Sequence, residues 1–261
     1  MTNYKKCICM VAAIALLVVV AFSGFKMYHY YSQKAEQEEL FEDMARVVEE
    51  KRVEQLEVGE EGELISHGSV EEVFAEYSEL YLQNGDMVGW IRIEGTTIHY
   101  PVMQTPRNPD YYLEHNFYKE YSDLGVPYIQ ADCNILKSDN LIIYGHHLRG
   151  QRMFGALEAY KSQEFYKEHK SIQFDTLSRR GEYEIIAVFQ TVAYQEEGYR
   201  YYDFVDAEDE GSFQAYVEQC KALSLYEIEE TAVYGDKLIT LSTCEYSTTD
   251  GRLVVVAKKV I

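Results

Sequence analysis

The sequence predicts a mainly β domain with peripheral helices, a closed or nearly closed β-barrel set behind helical N-terminal segments and one apolar stretch. Three observations predict it. From Met87 onward, short apolar runs rich in Val, Ile, Thr and Tyr recur, separated by turn residues. Only a few segments between them carry helical periodicity, so the helices belong on the rim of the strands. A hydrophobic content of 47%, with 14% aromatic residues, supports a packed core.

The chain of 261 residues has room for one domain of ordinary size and its appendages. Its formal charge of −20 argues against nucleic acid as a partner, because phosphate binding needs a basic face. The charge is uneven: between Glu36 and Glu79, sixteen acidic residues stand against Arg46, Lys51 and Arg52. Such a stretch reads as a solvated helical face.

Taken in order, residues 7–25 are apolar apart from Ser23 and Gly24, with Lys5 and Lys6 before them and Lys26 after. Nineteen residues suffice to cross a hydrocarbon layer that needs about 20. The run is long for the apolar region of a cleaved signal peptide, although Ala21-Phe22-Ser23 is a passable cleavage site, so an uncleaved anchor is expected. Residues 32–58 then read as a juxtamembrane helix, with Leu40, Met44, Val47 and Val48 at helical spacing and with Gly59 and Gly62 ending it. A second helix is expected from an N-cap at Ser69, with Glu72 three residues on, to about Gln83, where Asn84-Gly85 stops it. The expected layout is a short N-terminus at 1–6, a transmembrane anchor at 7–25, an acidic helical region at 26–68 and the folded domain at 69–261.

Within the domain, Val88–Ile93 and Thr97–Val102 are expected strands joined by Glu94-Gly95-Thr96. Further strands are expected at 140–145, 171–176, 182–194, 237–243 and 252–260, with helical inserts at 153–169 and 207–223. No internal repeat appears.

Of the five cysteines, Cys7 and Cys9 fall in the apolar segment, and Cys133, Cys220 and Cys244 are widely spaced. There is no Cys-x-x-Cys and no metal-ligand spacing. At most one disulfide can form among the last three, leaving one thiol over. Cys133 and Cys220 read as small buried hydrophobes.

Cys244 closes the apolar run that starts at Leu238, and Arg252 begins the last strand eight residues later. The connection between them is expected to return the chain beside Cys244 as an antiparallel neighbour. His146 follows the apolar run Leu141–Tyr144 and Gly145. A thiolate attacks carbonyl groups, an imidazole moves protons, and a guanidinium holds an oxyanion without losing charge. Together the three residue types describe nucleophilic acyl chemistry.

The wording is specific. Thr240-Leu241-Ser242-Thr243-Cys244 with Arg252, and Tyr144-Gly145-His146, resemble the sortases, membrane-anchored cysteine transpeptidases of Gram-positive bacteria. Asn84–Ile91, Gly95–Val102 and Tyr111–Asn116 are similar to further segments of that family, so the resemblance covers about residues 70–261. The Tyr-Gly-His-His wording, the helical insert before the Cys244 strand and the extended N-terminal region point to class B. Leu124–Asp132 departs from the small-residue turn, aromatic and Asp usual in the family.

The resemblance implies a closed barrel of about eight strands and a two-step reaction needing no metal or organic cofactor. Cys244 attacks the Thr carbonyl of a C-terminal sorting motif on a secreted protein, and His146 protonates the departing amine. A peptidoglycan amine then resolves the thioester, with His146 as base and Arg252 steadying the oxyanion. His147 adjoins His146, but in the family the residue directly after the Gly is catalytic. Tyr144, Ser242, Glu245 and Leu113 are implied to line the peptide groove, and the Tyr-rich insert Tyr194–Tyr202 to flank it. Because sorting motifs and wall precursors lie outside the cell membrane, the implied topology is single-pass, with residues 1–6 cytoplasmic and the catalytic domain extracellular. A pilin-polymerising sortase and a hydrolytic cysteine peptidase share the same triad. A non-enzymatic adhesin or scaffold would leave Cys244 without a role.

Overall fold

The computed structural model describes residues 3–58, 62–65, 72–193 and 198–261. The chain divides after Glu42 into two units. The first unit contains most of a helix, α1, that runs unbroken from Asn3 to Val58. Its side chains from Met10 to Tyr31 are exposed, and its most apolar 18-residue window has a mean hydropathy of 2.2. By length and composition this helix is able to cross a membrane. No break separates the apolar segment from the expected juxtamembrane helix, because no Gly or Pro interrupts residues 25–58.

Among the described residues, the second unit, from Asp43 on, holds, besides three short 3-10 helices, twelve strands and three further α-helices. In chain order they are β1 (Leu64–Ile65), β2 (Val73–Phe74), α2 (Ala75–Gln83), β3 (Met87–Arg92), β4 (His99–Met103), β5 (Tyr128–Ile129), β6 (Asn140–Tyr144), β7 (His147–Leu148), β8 (Arg152–Met153), α3 (Gln163–Glu168), β9 (Ser171–Thr176), β10 (Glu182–Val192), α4 (Glu210–Leu223), β11 (Leu238–Glu245) and β12 (Gly251–Lys259). Eight of the strands close a barrel in the order β10, β12, β11, β6, β5, β4, β3, β9, with β9 pairing back onto β10. β1–β2 and β7–β8 form separate two-stranded sheets.

The expected barrel and each of its longer strands are present. The two-residue strands β5, β7 and β8 are additions, too short to show a period. The expected helix over 153–169 is two pieces, a 3-10 helix at Phe154–Lys161 and then α3. Ser162 divides them and caps α3, its Oγ accepting from the Phe165 amide at 3.3 Å. α4 starts three residues later than expected because Asp209 is its N-cap, in a reciprocal capping box with Ser212. α2 begins at Ala75 rather than near Ser69, since Val73-Phe74 are drawn into strand pairing with Leu64-Ile65; Ser69 itself, like Gly59, lies outside the described residues.

Most strands are antiparallel, but β6 pairs parallel with β11. A parallel pair needs a long crossover, here the segment from β7 through α4. α4 packs on β10, and the 3-10 helix at Phe154–Lys161 packs on β11. Every β11 residue from Leu238 to Thr243 is buried, so its apolar and hydroxyl side chains do not alternate with exposed ones.

On the far side, the last turns of α1 are held to the barrel by an ionic cluster. Arg52 donates to Asp175 on β9 at 2.8 Å and to the Tyr77 hydroxyl at 2.7 Å. Arg180 reaches the same Asp175 at 2.8 Å and Glu76 at 2.5 Å. Tyr77 and the Gly181 amide also donate to Asp175, at 2.8 and 3.1 Å. Removing one member of a largely buried charge cluster leaves its partners uncompensated. Asp175→Ala is therefore expected to destabilise the domain by about 3 kcal/mol. That lowers the thermal midpoint by roughly 6–12 °C in a domain of this size, measured by circular dichroism on the full chain in detergent micelles.

Candidate active site

The three residues with nucleophilic, proton-moving and oxyanion-holding chemistry converge at one end of β11. Cys244 and Arg252 are direct cross-strand partners in the β11–β12 ladder. On the other side of β11 the parallel ladder with β6 ends at Ser242 opposite Tyr144. The chain past β6 stays close: the Gly145 amide donates to the Ser242 carbonyl at 3.1 Å, and the Thr243 hydroxyl donates to the Gly145 carbonyl at 2.8 Å. His146 thus leaves β6 beside Thr243 and Cys244.

Gly145 is required by space. A Cβ there would lie 2.6 Å from the ring of Phe154, which caps this end of the barrel. Gly125 is required twice over: its φ is +57°, and a Cβ would lie 2.6 Å from the Tyr112 carbonyl and 3.0 Å from the His146 ring. The His146 ring is held by its Nε2, 2.7 Å from the Leu113 carbonyl. A carbonyl only accepts, so Nε2 donates in this contact.

Cys244 and Arg252 open into a cleft of about 790 Å³ whose walls include Leu113, Tyr128, Tyr144 and Ser242. Of the expected groove residues, three line this cleft: Leu113, Tyr144 and Ser242. Each is positioned by a neighbour. Leu113 ends the 3-10 turn Tyr111–Leu113; the Tyr144 hydroxyl donates to Gln130 Oε1; the Ser242 hydroxyl shares a hydrogen with Tyr201 at 2.5 Å. Tyr201 and Tyr202, from the expected Tyr-rich insert, line it too, while Tyr194 lies outside the described residues.

Glu245 is placed elsewhere. One position beyond Cys244, it points to the opposite face of β11, as strand alternation requires. It lines a separate cleft of about 600 Å³ with Gln190, Gln219, Ser247 and Thr248. Burial works to raise its carboxyl pKa, but hydrogen bonds from Lys161 at 2.8 Å and Ser247 at 2.5 Å outweigh burial and hold it below the usual carboxylate value.

Three groups the sequence reading left out belong to the site. Gln130 braces Tyr144 and also donates to the Tyr202 carbonyl at 3.0 Å. Asp110, in a left-handed turn with φ 62°, accepts from the Tyr128 hydroxyl at 2.9 Å and lines the cleft. His147 touches the Cys244 main chain. The doubled His was the signal for the last; the first two carry no sequence signal, because their partners are distant in the chain.

Cys133 and Cys220 are free and buried, as expected of structural cysteines. Burial pushes both thiols up to about 12. Cys244 is free and partly exposed.

Residues 91–260 match the Sortase domain family. The chain is 30% identical to Sortase B of Staphylococcus aureus over 252 residues, covering 95% of each protein. It is 33% identical to Sortase B of Listeria monocytogenes over 192 residues, covering 72% of this chain and 76% of the relative. The crystal structure of a Staphylococcus aureus sortase B–substrate complex superposes with a TM-score of 0.74 at 28% identity, covering 87% of this chain and 98% of the other.

Iodoacetamide at pH 8, with labelling read by peptide mass, is expected to modify Cys244 in the native protein and to spare Cys133 and Cys220 until unfolding. A thiol with a pKa near 12 is only ~10⁻⁴ thiolate at that pH. Glu245, with its folded pKa below the unfolded one, contributes stability that is present above the unfolded value near 4.5 and is lost as pH falls through the folded one. Lys161→Met is expected to flatten that acid limb in thermal melts taken from pH 6 to pH 3.

Proposed function

The chain belongs to the sortase family of cysteine transpeptidases, in class B, and from that premise we propose that Cys244, His146 and Arg252 carry the transpeptidation of a C-terminal sorting motif onto a peptidoglycan amine. The observation that carries this reading is the cross-strand pairing of Cys244 with Arg252, with His146 leaving β6 beside them.

In the first step the Cys244 thiolate bonds to the carbonyl carbon of the motif's Thr. The C–N bond breaks as His146 gives its proton to the departing amine, and a thioester to Cys244 remains. In the second step an amine attacks the thioester, His146 takes the proton, and the thiolate leaves. Arg252 lies across the ladder from the reacting sulfur, where its guanidinium holds the negative oxygen of each tetrahedral intermediate. Leu113, Tyr144 and Ser242 supply the wall against which the peptide lies. If water takes the place of the amine, the same steps give hydrolysis, which puts the enzyme among the cysteine peptidases by reaction class.

We assign residues 7–25 to a membrane anchor, 1–6 to the cytoplasmic side, 26–68 to an acidic juxtamembrane helical region whose Arg52 joins it to the barrel, and 69–261 to an extracellular catalytic domain. The apolar length of α1 supports this, together with the location of the proposed substrates.

The test uses a panel of fluorogenic sorting-motif peptides, with and without an amine nucleophile. Ligated product that depends on the amine is the expected outcome. Cys244→Ala is expected to abolish both product and thioester. Arg252→Ala is expected to lower kcat by about 10²–10³, the usual effect of losing an oxyanion donor. Acid product alone, unchanged by added amine, would convert the assignment to a hydrolytic peptidase.

A further inference from the structure

Neither His146 nor His147 is among the residues lining the cleft, and of the two His147 makes the more enclosed contact. It opens β7 directly after the residue to which we assign proton transfer, and its Nδ1 lies 2.8 Å from the main-chain carbonyl oxygen of Cys244. That oxygen only accepts, so Nδ1 carries the hydrogen and the contact fixes the ring's orientation. The ring packs against Tyr246 at 4.9 Å between centroids. Glu158 Oε1 lies 3.9 Å from the same Nδ1, and Lys161 links Glu158 to Glu245 through contacts of 2.8 Å each. Gly155 closes the remaining side: a Cβ there would come within 2.9 Å of the His147 ring.

The position of this contact in the sheet gives it meaning. Carbonyls two residues apart on a strand face the same neighbour. The Ser242 carbonyl faces β6 and accepts from the Gly145 amide, so the Cys244 carbonyl faces the line along which β6 would have continued. In a parallel ladder the next donor would be the amide of residue 147. The chain instead turns away at Gly145 into the β7–β8 hairpin. The side chain of residue 147 then supplies the hydrogen that its own amide does not. A strand-end carbonyl without a donor is an unsatisfied group that moves to find one, and here any such movement would carry the sulfur with it.

We infer that His147 is a positioning residue: its Nδ1–H replaces the missing rung of the β6–β11 ladder and fixes the main chain of Cys244, and with it the thiol, opposite Arg252. The inference rests on the assignment of Cys244 as nucleophile. It separates the roles of the paired histidines, one moving protons and the other holding the strand end.

The test compares His147→Asn, His147→Gln and His147→Leu in the full chain in detergent micelles. Asn places an amide N–H where Nδ1 stands, Gln places one near Nε2, and Leu has none. Iodoacetamide labelling of Cys244, followed by peptide mass from pH 6 to 9, needs no peptide substrate and so decides the question even if no sorting-motif peptide is turned over. A failure of that panel with the unaltered chain would count against the sorting reading alone. We expect His147→Asn to keep the labelling profile and His147→Leu and His147→Gln to shift it. With a peptide that is turned over, the latter two are expected to lower kcat by about 10- to 100-fold, the scale of a misplacement near 1 Å, with little change in KM. Thermal midpoints establish that each variant is folded. Equal behaviour of Asn and Leu, or rescue by Gln as good as by Asn, would overturn the role of Nδ1. A loss in all three as complete as that of Cys244→Ala would overturn it too, by making His147 the proton carrier.

Discussion

The parallel pairing of β6 with β11 is the constraint on which the rest of the site depends. It sets two segments about a hundred residues apart in one register, Asn140 beside Leu238 and Tyr144 beside Ser242. Because β11 continues to Glu245 while β6 stops at Tyr144, the two ladders on either side of β11 end at different heights. Cys244 therefore has a strand on one side, carrying Arg252, and on the other the His147 ring in place of a strand. The proposed nucleophile thus has a braced main chain beneath it and the cleft in front of it. The turn at Gly145, which the lack of a side chain allows to pass close to Phe154, ends the β6 ladder there, and His146 beyond it reaches the Leu113 carbonyl.

The supports of the cleft come from distant parts of the chain. Tyr201 reaches Ser242 from the insert before α4, and Gln130 reaches Tyr144 from the loop after β5. Tyr216 on α4 contacts Thr240 at 3.0 Å, and Thr240 donates to Asn140 at 2.8 Å, so the buried polar groups of β6 and β11 are satisfied across the strand pair. The barrel interior thus needs α4 in place for its polar core as well as for apolar cover. At the other face the Arg52 and Arg180 cluster does similar work for the end of α1, joining it to β9 through Asp175.

How much of this could be read in the sequence depended on the range of the interaction. The long strands were legible because their apolar runs are set by burial, and Cys244 and Arg252 could be paired because a short connection between two strands leaves one antiparallel register. β5 and β7 were not legible: two residues have no period, and each is a strand only through its pairing, β5 with β4 and β6, β7 with β8. The first turn of α2 was not legible, because Val73-Phe74, inside the expected helix, pair with Leu64-Ile65 instead. For the site, residue types pointed to chemistry, but alternation along β11 separates Glu245 from Cys244, and sequence adjacency concealed that. Gln130 and Asp110 act through partners that no local pattern announces.

The place of β12 in the barrel has a consequence in time. This strand is later in the chain than every other barrel strand, yet it lies between β10 and β11, pairing with both. Until it inserts, the sheet is open along two edges, and the thiol-bearing strand has no arginine opposite it. A nascent chain emerging N-terminus first therefore has Cys244 before it has Arg252, the residue proposed to stabilise the charge on the intermediate. Long-range closure of this kind is slow compared with helix formation. Assembly of the proposed catalytic pair is therefore tied to barrel closure itself.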